Sequence, residues 1–242
     1  FNTYGEERME LESIRTVEKI GADGIIFAGV VLQDEIAEAM KRSGIPAVVA
    51  NVSEMADFDT VEGDAGTSTY MTARYLLEMG HTKIGFAGAA IGNASSKNRR
   101  NGYAKALKEA GIEIRKEYIF EMGQILNSEA GLKGGYYFSA LEDSPTAICC
   151  SNDLLALGIY QAFHQLKIRI PEDVSVTGVD DIMYAALCNP GLTTVTNDSR
   201  SYADVAVKAL LERMQGQYTG APRDYHVEST LIVRDSVSRR NA

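Results

Sequence analysis

Residues 147–158 read AICCSNDLLALG. Four apolar residues run into Ser151, Asn152 and Asp153, and an apolar helical pattern resumes at Leu154, Leu155, Ala156 and Leu157. An unbroken apolar run suits a strand buried on both faces of a parallel sheet. A strand that passes directly into a helix is the unit from which such sheets are built. The helix start needs a side chain to accept its free N–H groups, and Asp153 suits that cap. A cap uses one residue, not three. Asn152, with both a donor and an acceptor, is left at the sheet edge where ligands of α/β proteins bind.

The same alternation extends outward along the chain. Strands are expected within 21–29, 45–51, 82–88, 146–152, 174–181 and 192–197, each a continuous apolar run. Residues 225–236 read as one extended strand. Helices fill the gaps at 6–19, 33–42, 66–79, 98–110, 128–140, 153–166 and 198–215. Leu11, Ile14 and Val17 share one side of the first, and Gly80 and Gly111 stop two of the others. Strand–helix alternation of this kind defines an α/β fold with parallel sheets and right-handed crossovers.

Other strand ends repeat the device. GVDD (178–181) closes one in Asp180 and Asp181, and TND (196–198) closes another in Asn197 and Asp198. GFAG (85–88) runs into small and polar residues. Polar groups at several strand ends point to a cleft for a small polar molecule.

Several function classes are excluded. Acidic residues number 33 against 24 Lys and Arg, a net charge of −9, whereas holding phosphodiesters needs a basic face. His81, His164 and His226 are the three histidines, and none lies beside a nucleophile motif. The phosphate loop GxxxxGK[ST] is absent, and GFAGAAIG does not match GxGxxG. An enzyme is therefore not expected, nor is any cofactor. Cys149, Cys150 and Cys188 form no metal-binding spacing and read as buried thiols in a reducing compartment, so no metal is expected. No apolar run approaches the ~18 residues of a membrane span. The chain opens at Phe1 without a Met and reads as a piece of a longer protein.

Five motifs then occur in order: YLLEMGHTKIGFAG (75–88), RRNGYAKALKEAGI (99–112), SNDLLALGIYQAF (151–163), IPEDVSVTGVDD (170–181) and PGLTTVTND (190–198). Together they resemble the effector-binding domain of LacI/GalR-family transcription regulators over almost the whole chain. The resemblance implies a periplasmic-binding-protein-like type I fold, two Rossmann-like parallel-sheet lobes joined by three crossovers. One lobe would span about 1–80 and 198–224, the other about 81–197 and 225–238. A sugar-sized effector would bind between them and change the operator affinity of a cytoplasmic homodimer. The family's helix-turn-helix headpiece, hinge, first strand and first helix precede the region matched here. DNA contact is thus expected only through a headpiece absent from this sequence. A soluble sugar receptor of an uptake transporter shares the fold and is the competing reading.

Carried over residue by residue, the resemblance assigns Arg99, of the RxxGY motif, to the ligand. Its planar fork donates paired hydrogen bonds to vicinal hydroxyls or a carboxylate. Asn152 of the ND motif and Asp180, the first acid after the VTG strand, would join it, with Asp181 capping the next helix. The neighbouring Arg100 reads as a solvated helix residue. Ser95, Leu126, Asn197 and Thr67, the last on the proximal lobe, occupy further ligand-facing positions. Leu126 replaces a common aromatic, Val179 replaces the Phe of GFDD, and the chain has no Trp. The missing aromatic platform broadens the expected effector from a sugar to a phosphosugar or nucleoside-like metabolite.

Overall fold

The computed structural model describes residues 1–3, 6–29, 32–50, 57–63, 65–90, 94–123, 126–196 and 199–240. The chain forms two units, Phe1–Gly63 with Asp198–Glu228, and Asp64–Asn197 with Ser229–Ala242. It passes from one to the other three times.

In the first unit, α1 (Glu7–Ile20), β1 (Ile25–Ala28), α2 (Asp34–Ser43), β2 (Ala47–Ala50) and β3 (Asp59–Gly63) follow one another. The last of these was not anticipated, because Asp59, Thr60 and Glu62 break its apolar run. Gly21 and Gly44 end the two helices in left-handed conformation, with φ of 68° and 66°.

The second unit begins with α3 (Ala65–Glu78), β4 (Ile84–Gly88), α4 (Ala94–Glu109), β5 (Ile119–Glu121) and α5 (Ser128–Ser139). It continues with β6 (Ala147–Cys150), α6 (Asp153–Leu166), β7 (Ser175–Thr177), α7 (Met183–Leu187) and β8 (Thr194–Thr196). Then α8 (Ser199–Met214) and β9 (Asp224–Val227) return to the first unit, and β10 (Thr230–Ile232) closes the second.

The first unit carries a parallel sheet in the order β1-β2-β3-β9. Val49 packs with Ile14, Ile36 and Met40, while Val48 packs with Val61, Ala206 and Ala209. Helices thus cover both faces, and successive residues of one strand feed opposite cores. Asp59, with a fully buried side chain, receives Arg213 Nη2 at 2.6 Å and Arg223 Nη2 at 2.9 Å, which ties α8 and the start of β9 to β3.

The second unit carries a parallel sheet, β5-β4-β6-β7, and an antiparallel pair, β10-β8. An isolated parallel bridge, Thr177 to Thr193, lies between β7 and the segment entering β8. On β6, Ala147 and Cys149 join one core with Tyr103 and Leu107 of α4. Ile148 and Cys150 join the other with Phe138, Leu155 and Ile159. The adjacent cysteines therefore point to opposite faces and are free thiols. Burial pushes Cys149 up to about 12 and Cys150 well above its ordinary value, so both stay protonated.

Two expectations need correction. Residues 225–236 are not one strand: β9 pairs with β3 in the first unit and β10 with β8 in the second. The helix expected with the proximal lobe, α3, belongs to the second unit, where it packs on α4 so closely that a Cβ on Gly102 would meet Gly66 O at 2.0 Å. The first boundary accordingly falls after Gly63, not near residue 80.

Candidate functional site

The site is built at the carboxyl ends of β6 and β7 and on the first turns of α4, all within the second unit. β6 ends at Cys150 and α6 begins at Asp153, leaving Ser151 and Asn152 as the connection. Its position is held by the contact between α5 and α6. A Cβ on Gly131 would lie 2.1 Å from Leu155 O, and one on Gly158 2.1 Å from Ser128 O, so the helices touch through their backbones.

Asn152, not Asp153, caps α6: its Oδ1 accepts from Leu155 N–H at 2.9 Å. Its Nδ2 donates to Leu126 O at 3.1 Å. An amide offers two donor and two acceptor positions, so one of each remains among the described residues. Leu126 is half-buried against the core shared by α5 and α6, and its carbonyl orients Asn152.

Arg99, with 17% of its side chain exposed, projects from α4 and donates through Nη1 to Ser151 O. Its Nη2 lies 3.7 Å from Asp180 Oδ1, an ion pair beyond direct hydrogen-bonding distance. Partial desolvation raises the Asp180 carboxyl from its ordinary value, although 37% of the side chain is exposed, and Arg99 opposes the rise. Arg99 Nε and Ser151 Oγ are buried without a hydrogen-bond partner among the described residues. Buried polar atoms are almost always satisfied, and these two exceptions adjoin the Arg99–Asp180 pair.

Asp181 does not cap α7, whose N-cap is Ile182. Instead its Oδ1 receives Arg234 Nη2 at 2.7 Å. Arg100 is only partly solvated, because Nη1 meets Glu121 Oε1 at 2.6 Å at the end of β5. Ser95 is half-buried on the first turn of α4, and Thr67 is exposed on the first turn of α3. Asn197 lies outside the described residues. The structure thus brings together Arg99, Ser151, Asn152 and Asp180. Ser151 is not among the residues the resemblance assigns to the ligand. It follows directly on the end of β6 at Cys150, and its hydroxyl is buried.

Among the described residues no group of acids, histidines and cysteines could hold a metal. No helix there is long and apolar enough to cross a membrane.

The family of periplasmic binding protein-like domains matches residues 73–237. The chain is 32% identical over 244 residues to the HTH-type transcriptional repressor PurR of Vibrio vulnificus, covering 99% of this chain and 72% of that protein. It superposes with a TM-score of 0.84, at 32% identity, on a LacI-type transcription regulator of Bifidobacterium animalis subsp. lactis, covering 98% and 87% of the two chains. A sugar-binding LacI-family regulator of Escherichia coli complexed with phosphate matches at a TM-score of 0.82 and 25% identity, covering 96% and 83%. The fold and its polar strand-end site define a periplasmic-binding-protein-like ligand-sensing domain. Within that class, the chain belongs to the LacI family of transcription regulators as their effector-binding domain. It is a regulatory module, not an enzyme, and the uptake-receptor alternative is not favoured.

Proposed function

We propose that the effector is a sugar, phosphosugar or nucleoside-like metabolite held by Arg99 and Asp180, with Asn152 and Ser151 supplying further hydrogen bonds. The observation that carries this is the Arg99–Asp180 pair, 3.7 Å apart, beside the unpartnered Arg99 Nε and Ser151 Oγ. A polyol placed there offers Asp180 its hydroxyl protons and Arg99 its oxygens. An anionic group would be drawn to Arg99 and repelled by Asp180, so a phosphate belongs at the Arg99 end. The phosphate complex of the E. coli relative supports such a group on this fold. Ser95, Leu126, Thr67 and Asn197 stand as secondary contacts of the same proposal.

The effector acts by binding one conformation of the domain better than another, and it shifts the balance only by that difference. The DNA-reading part is a headpiece outside this sequence, the protein works in the cytoplasm, and the active form is a homodimer. Support for self-association comes from α7, where Met183, Tyr184 and Leu187 are 67%, 56% and 71% exposed. Three large apolar side chains on one short helix form a patch suited to a second copy.

A thermal-shift screen with pentoses, sugar phosphates and nucleosides tests the reading, since a ligand specific for the native state raises Tm by mass action. A true ligand bound equally well by the Arg99→Ala chain would remove Arg99 from the site.

A further inference from the structure

Asp153 opens α6 and is fully buried. Its backbone N–H donates to Val179 O at 2.8 Å. Oδ2 accepts from Ile182 N–H at 2.9 Å, and Oδ1 from the Thr194 hydroxyl at 2.6 Å. A Cβ on Gly178 would come within 2.1 Å of Oδ1, so the carboxylate occupies space that only glycine leaves open.

Between these contacts the backbone turns through two non-glycine residues of positive φ, Asp180 at 111° and Asp181 at 50°. Such conformations persist only where the surroundings over-determine them. Here Asp180 N–H bonds Val195 O at 2.8 Å and Arg234 holds Asp181 at 2.7 Å. Asp153 supplies the bonds on both flanks of the turn that presents Asp180 to Arg99.

We propose that Asp153 is a positioning residue for the effector site, and that uptake and release of its proton changes how firmly the turn at 179–182 holds the Asp180 carboxylate. The proposal rests on the reading of Arg99 and Asp180 as the effector site.

Asp180 and Asp181 face this carboxyl from the turn, Cys150 from β6, Tyr160 from α6 and Cys188 from beyond α7. The nearby cations are already engaged, Arg234 on Asp181 and Arg99 toward Asp180. Burial raises the Asp153 carboxyl to about 7, the Thr194 and Ile182 bonds oppose the rise, and the two acids of the turn add to it.

In the ionised form both oxygens accept, and the Ile182 N–H makes a charge-assisted bond. On protonation one oxygen becomes a donor, so the Thr194 hydroxyl must rotate to receive it. The repulsion exerted on Asp180 and Asp181 is then gone, and the Ile182 N–H faces a neutral acceptor. The two protonation states therefore pull and push the turn differently.

Proton–nitrogen NMR of the whole chain, titrated between about pH 5.5 and 8.5, tests this without any ligand. The Ile182 and Asp180 amides should move together with a midpoint near 7. In Asp153→Asn the amide oxygen still accepts from Ile182 while the NH2 group donates to Thr194, so the turn is kept and the transition is lost. In Thr194→Val a bond favouring the ionised form is removed, and the midpoint should rise. Wild-type amides that do not titrate, or that titrate equally in Asp153→Asn, overturn the proposal. If Asp153→Asn does not fold, an unshifted midpoint in Thr194→Val overturns it instead. Because no effector is present, the titration stands or falls separately from the binding site, which Arg99→Ala tests in the thermal-shift screen.

Discussion

Arg99→Ala or Asp180→Ala should sharply reduce the effector's effect on Tm at a fixed ligand concentration while leaving the circular dichroism of the domain unchanged. Loss of one charge-assisted hydrogen bond costs about 1.5–3 kcal/mol, or roughly ten- to a hundred-fold in affinity. Calorimetric titration of the two variants with the same ligand reads that loss. A second expectation concerns acid. The Asp153 carboxyl sits at about 7 in the fold and near ~3.9 in the unfolded chain. Between those values the native state holds a proton that the unfolded chain has released. Its contribution to stability is therefore complete below about pH 4 and lost as pH rises toward neutrality. The Tm of the wild type, measured against Asp153→Asn, should fall across that window and level off above it. At this scale the placement of Arg99 on a helix and of Asp180 at a strand end was legible, because a motif and a strand end each name one residue, and the two lie 3.7 Å apart. The roles of Asn152 and Asp153 were not. Either side chain can cap a helix, and the choice depends on a one-residue shift in where α6 begins. The partner that decides it, Thr194, is 41 residues away along the chain.

At the scale of elements, the approach of α5 and α6 positions Asn152, and it depends on small residues. Gly158→Ala would place a methyl 2.1 Å from Ser128 O and 2.6 Å from Leu132 N, both backbone atoms. Overpacking of this kind costs about 1–3 kcal/mol, at about 2–4 °C of Tm per kcal/mol for a chain of this size. Differential scanning calorimetry should show the drop, accompanied by weaker effector binding as the Leu126–Asn152 contact shifts. The doubly covered strands were readable because their apolar runs are unbroken, as in β6 and β4. β3 and β5 escaped notice, since each carries acidic or short stretches that resemble loop. The division of 225–236 between two sheets was also hidden. Glu228 and Ser229, where the chain changes units, look like any polar pair within an edge strand.

For the whole molecule, sedimentation at micromolar concentration should give a dimer, and Leu187→Asp together with Met183→Asp should shift it toward monomer. If the doubly substituted chain remains fully dimeric, association does not use α7. Residues 1–242 should show no salt-dependent, sequence-specific binding to DNA in a filter or fluorescence assay, since 33 acids against 24 bases give a net charge of −9 that repels phosphates. The threefold passage between units has a consequence for the order in which the protein is made. When the ribosome has delivered residues 1–196, the sheet β5-β4-β6-β7 has all its strands and both layers of helices. The other sheet at that moment has β1, β2 and β3 but neither α8 nor β9, so Val48 and Val61 still lack Ala206 and Ala209. Asp59 likewise waits for Arg213 and Arg223, the partners that offset its charge once α8 and β9 cover it. The N-terminal unit, first to leave the exit tunnel, therefore gains its last helix and strand only after the parallel sheet of the other unit has all its strands. Nascent chains stalled near residue 197 would offer chaperones and proteases the face of β2 and β3 that α8 later covers.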